Sequence, residues 1–129
     1  MIRVYVKKQS NYPVNAPLLK KRITRFFEGL GIVSDSDVVI AIVGKKAMLD
    51  LAKKFLCENK VLHNVLSFTE SEVNKKFIEA KKDVNHLGEI VICYPQVVVE
   101  ANKEDRLIED KVYELAEHGA DHLMGKHHE

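Results

Sequence analysis

The last twelve residues of the chain constrain it most. They run His118-Gly119-Ala120-Asp121-His122-Leu123-Met124-Gly125-Lys126-His127-His128-Glu129 and hold four of the six histidines. His118 and His122 are four apart, so on a helix both imidazoles project from one face, one turn above the other. Gly125 follows, and glycine takes the left-handed conformation that ends a helix and reverses the chain. A reversal there is expected to bring His128 back towards the first two histidines. Three neutral imidazoles converging on one point, with a fourth position left for water, describe a catalytic zinc site. Purification tags are usually uninterrupted His runs, whereas His118 and His122 lie inside an apolar-periodic helix. A solvated helix face is the other competitor, and His pairs four apart are uncommon without a metal. The familiar zinc helix of peptidases carries Glu directly after its first His as general base. Gly119 stands at that position, so a peptidase mechanism would lack its base.

The remainder of the chain must build a fold around that helix. Its 129 residues make one domain, 1–129, long enough for a single core. The apolar share of 46% and charged share of 30% are those of a soluble globular protein. A net charge of +1 neither requires nor excludes nucleic acid, because a local basic patch can do the electrostatic work. Cys57 and Cys93 have no metal-like spacing and read as free thiols of an intracellular chain. No apolar run is long enough to span a bilayer, and Met1-Ile2-Arg3-Val4-Tyr5 lacks the form of a signal peptide, so a cytoplasmic location is expected.

Ile2, Val4 and Val6 alternate with Arg3, Tyr5 and Lys7, the period of a half-buried strand. Asn15 before Pro17 predicts a helix cap. Leu19, Ile23, Phe26, Phe27 and Leu30 recur at helical spacing up to Gly29 and Gly31. Lys20, Lys21, Arg22 and Arg25 make that helix basic, either as a solvated face or as part of an RNA-facing patch. Val38 to Val43 is a continuous β-branched run and predicts a central strand. Lys45 to Leu56 reads as a second amphipathic helix, and 64–68 and 87–93 as further strands. Ser71 to Ala80 fits a short helix or an irregular excursion. Gln96 to Ala101 contains Val97-Val98-Val99, which alone prefers a strand. Arg106 to Met124 predicts the last helix, with His118 and His122 at the rim of its apolar stripe. His63 and His86 have no partner at helical spacing and read as surface or structural histidines. The pattern predicts an α+β domain with a small mixed sheet of about four strands, and a metal site on the C-terminal helix and following turn.

Three stretches together carry a resemblance. Asn64-Val65-Leu66-Ser67-Phe68 and Leu87-Gly88-Glu89-Ile90-Val91-Ile92 precede His118-Gly119-x-x-His122-Leu123-x-Gly125-x-x-His128 in an order and spacing similar to the YbeY family of bacterial endoribonucleases and rRNA maturation factors. The resemblance covers roughly Val38 to Glu129 and, with the first strand and helix, the whole chain. It implies one zinc (or another divalent metal) on His118, His122 and His128. It implies single-stranded, ribosomal RNA as substrate, with ribosomal proteins or a ribosome-associated GTPase as companions. It also tips 96–101 towards helix. No side chain is identified as catalytic. The metal-bound water is the expected nucleophile, with Asp121, Ser67 and Lys54 as candidate helpers, and Ser67 and Asn64 as polar contacts in a substrate groove.

The sequence departs from the family pattern at informative places. His127 stands before the third histidine where Asp is usual, and is an alternative third ligand. Asp121 stands before the second histidine where Leu is usual, and serves as ligand-orienting group, base or exposed helix residue. His63 and Thr69 replace the usual Thr and Pro around 64–68. The family's arginine position falls on Leu56 or Cys57, and a nearby lysine is a point charge rather than a bidentate fork. Two readings therefore stand: a metal-dependent endoribonuclease, and a zinc-stabilised, ribosome-associated binding factor without turnover. A metal-dependent hydrolase of another substrate, such as a peptide, is a weaker third.

Overall fold

Val38 to Val43 contains no polar side chain, and the fold uses both of its faces. In the computed structural model, which describes residues 1–58, 60–70 and 85–127 (of 126 and 127 the backbone only), this run forms β2, Ser36–Val43. Val38, Ile40 and Ile42 are fully buried on one face, and Val39, Ala41 and Val43 half-buried on the other. A strand covered on both sides reads as a continuous apolar run instead of an alternating one. Its neighbours are β1, Ile2–Lys8, parallel to it on one side, and β4, Asn85–Cys93, parallel on the other. β3, Val65–Thr69, pairs antiparallel with β4 and completes a mixed sheet in the order β1-β2-β4-β3. The fold is α+β, as the sequence pattern predicts.

Four helices are described: α1, Ala16–Gly29; α2, Lys45–Leu56; α3, Tyr94–Lys103; and α4, Ile108–His127. Asn15 caps α1, its Oδ1 accepting from the Leu18 amide at 3.1 Å. Gly31, at φ +89°, turns the chain after that helix. α1 and α4 cover one face of the sheet, where Leu19, Ile23, Phe27, Val112, Leu115, Ala116 and Leu123 meet Val38, Ile40, Ile90 and Ile92. Each large side chain removed from water there contributes about 1.5–3 kcal/mol. α2 covers part of the opposite face, where Met48 packs with Phe68, Val91 and Cys93. Cys57 is exposed and ends α2 in the left-handed conformation, while Cys93 is buried and both thiols are free. α3 is helical despite its valine run because Val97 and Ala101, one turn apart, are both buried and Pro95 occupies its first turn.

Both boundaries of the last helix differ from the sequence expectation. The last helix starts at Ile108, not Arg106, whose guanidinium is instead engaged by Glu104 and Glu114. The helix also does not stop at Met124 or reverse at Gly125, but runs through to His127. Leu123 and Met124 are buried against the sheet and hold the preceding turn. A single glycine costs a docked helix only about 1 kcal/mol, too little to end it. The expected helix or excursion at 71–80 and the side chain of His128 lie outside the described residues. No described helix is long and apolar enough to cross a membrane.

The β2–β4 register steps at Leu87: Asp37 pairs with His86 and Val38 with Gly88. Gly88 there has φ +142°, and a Cβ on it would stand 2.1 Å from the Phe68 carbonyl oxygen and 2.9 Å from Leu123 Cδ2. Strand β3 and helix α4 therefore both close on a residue without a side chain. Gly88→Ala is expected to destabilise the protein by about 3 kcal/mol or more, from backbone strain plus overpacking. Urea denaturation measures this; a loss under about 1 kcal/mol would mean that the bulge relaxes freely.

Candidate metal centre and substrate groove

α4 lies unusually close to β4. A Cβ on Gly119 would stand 2.7 Å from Ile90 Cγ2. This explains the residue that follows the first histidine: the position faces the sheet, and a glutamate could not occupy it. His118 and Asp121, by contrast, are exposed, and so is His122. The close approach sets the outer side of α4 beside β3. There the Ser67 hydroxyl shares a short hydrogen bond with His122 Nδ1. With Nδ1 occupied in this way, Nε2 is the nitrogen left for a ligand, and the bond fixes the ring's orientation; a ring that ligates through Nε2 donates its Nδ1–H to the Ser67 oxygen.

The two histidines open onto a groove of about 1060 Å³ between α4, β3, the end of α1 and the end of α2. Phe26, Leu30 and Leu56 give it apolar walls. Asn64 and Ser67 line it from the β3 side, and Glu114, Glu117 and Asp121 from α4. Of the candidate helpers, Asp121 and Ser67 line the groove; Lys54 does not, and its ammonium sits 5.2 Å from the Phe55 ring. Leu56, one of the two positions where the resemblance would set an arginine, lines the groove as an apolar side chain; Cys57, the other, is exposed at the end of α2. His63 is paired with Glu58 at 2.6 Å and His86 with Asp37 at 2.5 Å. Among the described residues no three His, Cys, Asp or Glu side chains gather closely enough to hold a metal. His118 and His122 form a pair that needs a third donor. The donor chemistry and the Ser67 bond fit a zinc ion; His128, the expected third ligand, falls outside the described residues.

Sequence reasoning missed Lys111. It is 5% exposed and lines the groove two turns before His118. Its ammonium reaches Glu104 at 3.0 and 3.1 Å, Glu114 at 3.3 Å and Glu100 at 3.7 Å. Glu114 lies three residues on in the same helix and was a readable signal; Glu100 and Glu104 reach it only through the turn between α3 and α4. Burial draws the Lys111 pKa down, but the hydrogen bonds to Glu104 and Glu114 outweigh it and the net direction is upward. Glu104 is held below its ordinary value first by the Lys111 hydrogen bond, and Glu114 first by that of Arg106.

Comparison with known proteins assigns the chain. Residues 5–129 match the family model described as endoribonuclease YbeY. The chain belongs to the endoribonuclease YbeY family. It is similar to the endoribonuclease YbeY of Dehalococcoides mccartyi, with 31% identity across 99% of this chain and 78% of that protein. It is also similar to those of Buchnera aphidicola (36% identity, 74% of this chain, 58% of that one) and Renibacterium salmoninarum (34%, 84% and 69%). Among solved structures, a solution structure from Thermotoga maritima superposes with a TM-score of 0.59 over 95% of this chain and 71% of that one, at 22% identity, and so shares the fold. The resemblance first carried by 64–68, 87–92 and the histidine run thus extends to nearly the whole chain. YbeY membership also agrees with the apolar, sheet-facing environment of Gly119, where the peptidase base has no room.

Two expectations follow. Gly119→Ala should cost about 1–3 kcal/mol by overpacking against Ile90, although Ala is by about 1 kcal/mol the better helix residue. A denaturation midpoint equal to or above wild type would show that α4 is not clamped there. Glu104 and Glu114 have folded pKa values below their ordinary 4.5. The unfolded chain therefore binds more protons near and below that pH. The stability they contribute is present above it and lost as pH falls through the folded values. Denaturation midpoints measured from about pH 6 to about pH 3, a span that covers ordinary carboxylate titration, should fall on the acid side. In Lys111→Met that acid slope should shrink.

Proposed function

We propose that this member of the YbeY family is a zinc-dependent, single-strand-specific endoribonuclease of rRNA maturation and ribosome quality control, acting in the cytoplasm. Family membership supports the endoribonuclease class. The observation that carries the metal reading is the His118–His122 pair on α4 with the Ser67 hydroxyl on His122 Nδ1. His118, His122 and His128 would hold the ion. A bound zinc lowers the pKa of a coordinated water towards about 7 and polarises a phosphoryl oxygen.

The charge balance of the groove supports a cation as well. Glu114, Glu117 and Asp121 line it against one lysine, Lys111, already surrounded by carboxylates. A phosphodiester entering such a groove is repelled unless positive charge is added. The apolar walls at Phe26, Leu30 and Leu56 suit unstacked bases, as in single-strand recognition, and offer nothing to a regular duplex. Asp121, exposed beside His122, is available to take or hand on a proton. Ribosomal proteins or a ribosome-associated GTPase would deliver the substrate.

One observation favours a second reading, a zinc-stabilised ribosome-associated factor without turnover: the groove is lined by Leu56, and neither Leu56 nor Cys57, the two positions that the resemblance gives for the family's arginine, carries a charge to stabilise a phosphate. Cleavage separates the two. Wild-type protein with zinc should cleave a single-stranded oligoribonucleotide and leave its duplex intact. His118→Ala should lose at least about a hundredfold in rate, since even outer partners of metal ligands are worth about 10–100-fold. Equal rates in wild type and His118→Ala, with binding retained, would leave the factor reading standing.

A further inference from the structure

Asn64 sits at the mouth of β3 on the substrate groove, and its carboxamide is not free to choose its orientation. Its Nδ2 donates to Glu100 Oε1 at 2.9 Å. An ionised carboxylate only accepts hydrogen bonds, so the amide nitrogen must be the end turned towards Glu100. Glu100 is itself immobilised: Gln96 Nε2 donates to its other oxygen at 3.1 Å, and the Lys111 ammonium lies 3.7 Å from Oε1. The backbone of Asn64 is fixed as well, its carbonyl accepting from the Cys93 amide at 2.9 Å. The polar end left over is Oδ1, which among the described residues accepts from no side chain or amide. An oxygen with two lone pairs on a groove-lining residue, locked by a network that joins α3 and α4 to the residue before β3, selects for a donor.

We propose that Asn64 Oδ1 accepts a hydrogen bond from the bound RNA, and that Glu100 is the positioning residue that sets this polarity. The donor is a ribose 2′-hydroxyl or an exocyclic base amine, which share the chemistry. The inference rests on the RNA-cleaving reading above and deepens it. Were the carboxamide reversed, the groove would present an N–H₂ and favour phosphate or carbonyl oxygens instead. As built, Asn64 rejects a ligand that lacks the donor, because the acceptor would be left unpaired in a partly dewatered groove.

Three fluorescently labelled single strands test this: oligo(A), oligo(dA) lacking the 2′-hydroxyl, and an oligomer of purine riboside lacking the 6-amino group. Affinities are read by anisotropy before turnover, on zinc-loaded wild type, Asn64→Ala, Glu100→Gln, Asn64→Asp and the double variant Asn64→Asp/Glu100→Gln. Wild type should prefer oligo(A) over one of the two depleted strands by about three- to tenfold, the scale of one hydrogen bond. Which strand is disfavoured tells the hydroxyl from the amine. Asn64→Ala should bind the depleted strand and oligo(A) alike. Glutamine at 100 can donate or accept, so Glu100→Gln should lower the selectivity while oligo(A) affinity changes less. Asn64→Asp alone sets two carboxylates against each other and should lose selectivity. Adding Glu100→Gln restores a donor to face the introduced carboxylate and should recover it. A merely structural role would weaken all strands equally and show no recovery in the double variant, and that result overturns the inference. Equal selectivity in wild type and Asn64→Ala overturns it too. A wild type that binds none of the strands overturns the RNA reading on which it rests.

Discussion

Helix α4 lies on the sheet at a distance that only a glycine allows, and the site depends on that contact. With a Cβ of Gly119 only 2.7 Å from Ile90, the helix axis cannot stand at its present place with any side chain at 119. The contact is reinforced one turn further along the helix, where Gly88 leaves room for Leu123 and for the Phe68 carbonyl. Two glycines on opposite partners thus let α4, β4 and β3 close on one another. The consequence is geometric: the outer rim of α4 is brought within hydrogen-bond reach of the β3 side chains, and Ser67 meets His122. A histidine on a more distant helix would have to hold its orientation unaided, at the cost of rotamer entropy.

Around that contact the protein arranges polar groups in two tiers. Ser67 steadies His122, and Glu100 with Gln96 and Lys111 steadies Asn64. Lys111 is the junction: one nearly buried ammonium shared by carboxylates from α3, the following turn and α4. Such a cation is expensive to bury and strongly destabilising to leave unpaired, so its partners are fixed together or not at all. It ties the helix that carries the histidines to the helix that carries Glu100. The same engagement commits the Lys111 charge to carboxylates. Glu117 and Asp121 remain as the acidic lining beside the histidines.

Much of this was legible in the sequence, and the rest failed for identifiable reasons. Period two in β1 and the β-branched run of β2 predicted both strands and the central place of β2. Asn15 and Gly31 marked the ends of α1. The His118–His122 spacing predicted a shared face, and the structure places both on the groove with Ser67, Asn64 and Asp121. The valines of α3 show local propensity overruled by the burial of Val97 and Ala101, which no local pattern reveals. The end of α4 was misjudged because glycine permits a turn without compelling one: the docked residues Leu123 and Met124 carry the helix past Gly125. Lys54, a candidate helper in the sequence, is not among the residues that line the groove. The Lys111 cluster and the Glu100–Asn64 bond join residues distant in sequence, and only the packing of α3 against α4 and β3 brings them together.

The metal reading stands or falls on elemental analysis of the purified protein for bound zinc, wild type beside His122→Ala. Close to one zinc per chain in the wild type, falling to a small fraction in the variant while both remain folded, is the predicted result. A folded wild type that binds no metal, or a variant that retains its full complement, would contradict it.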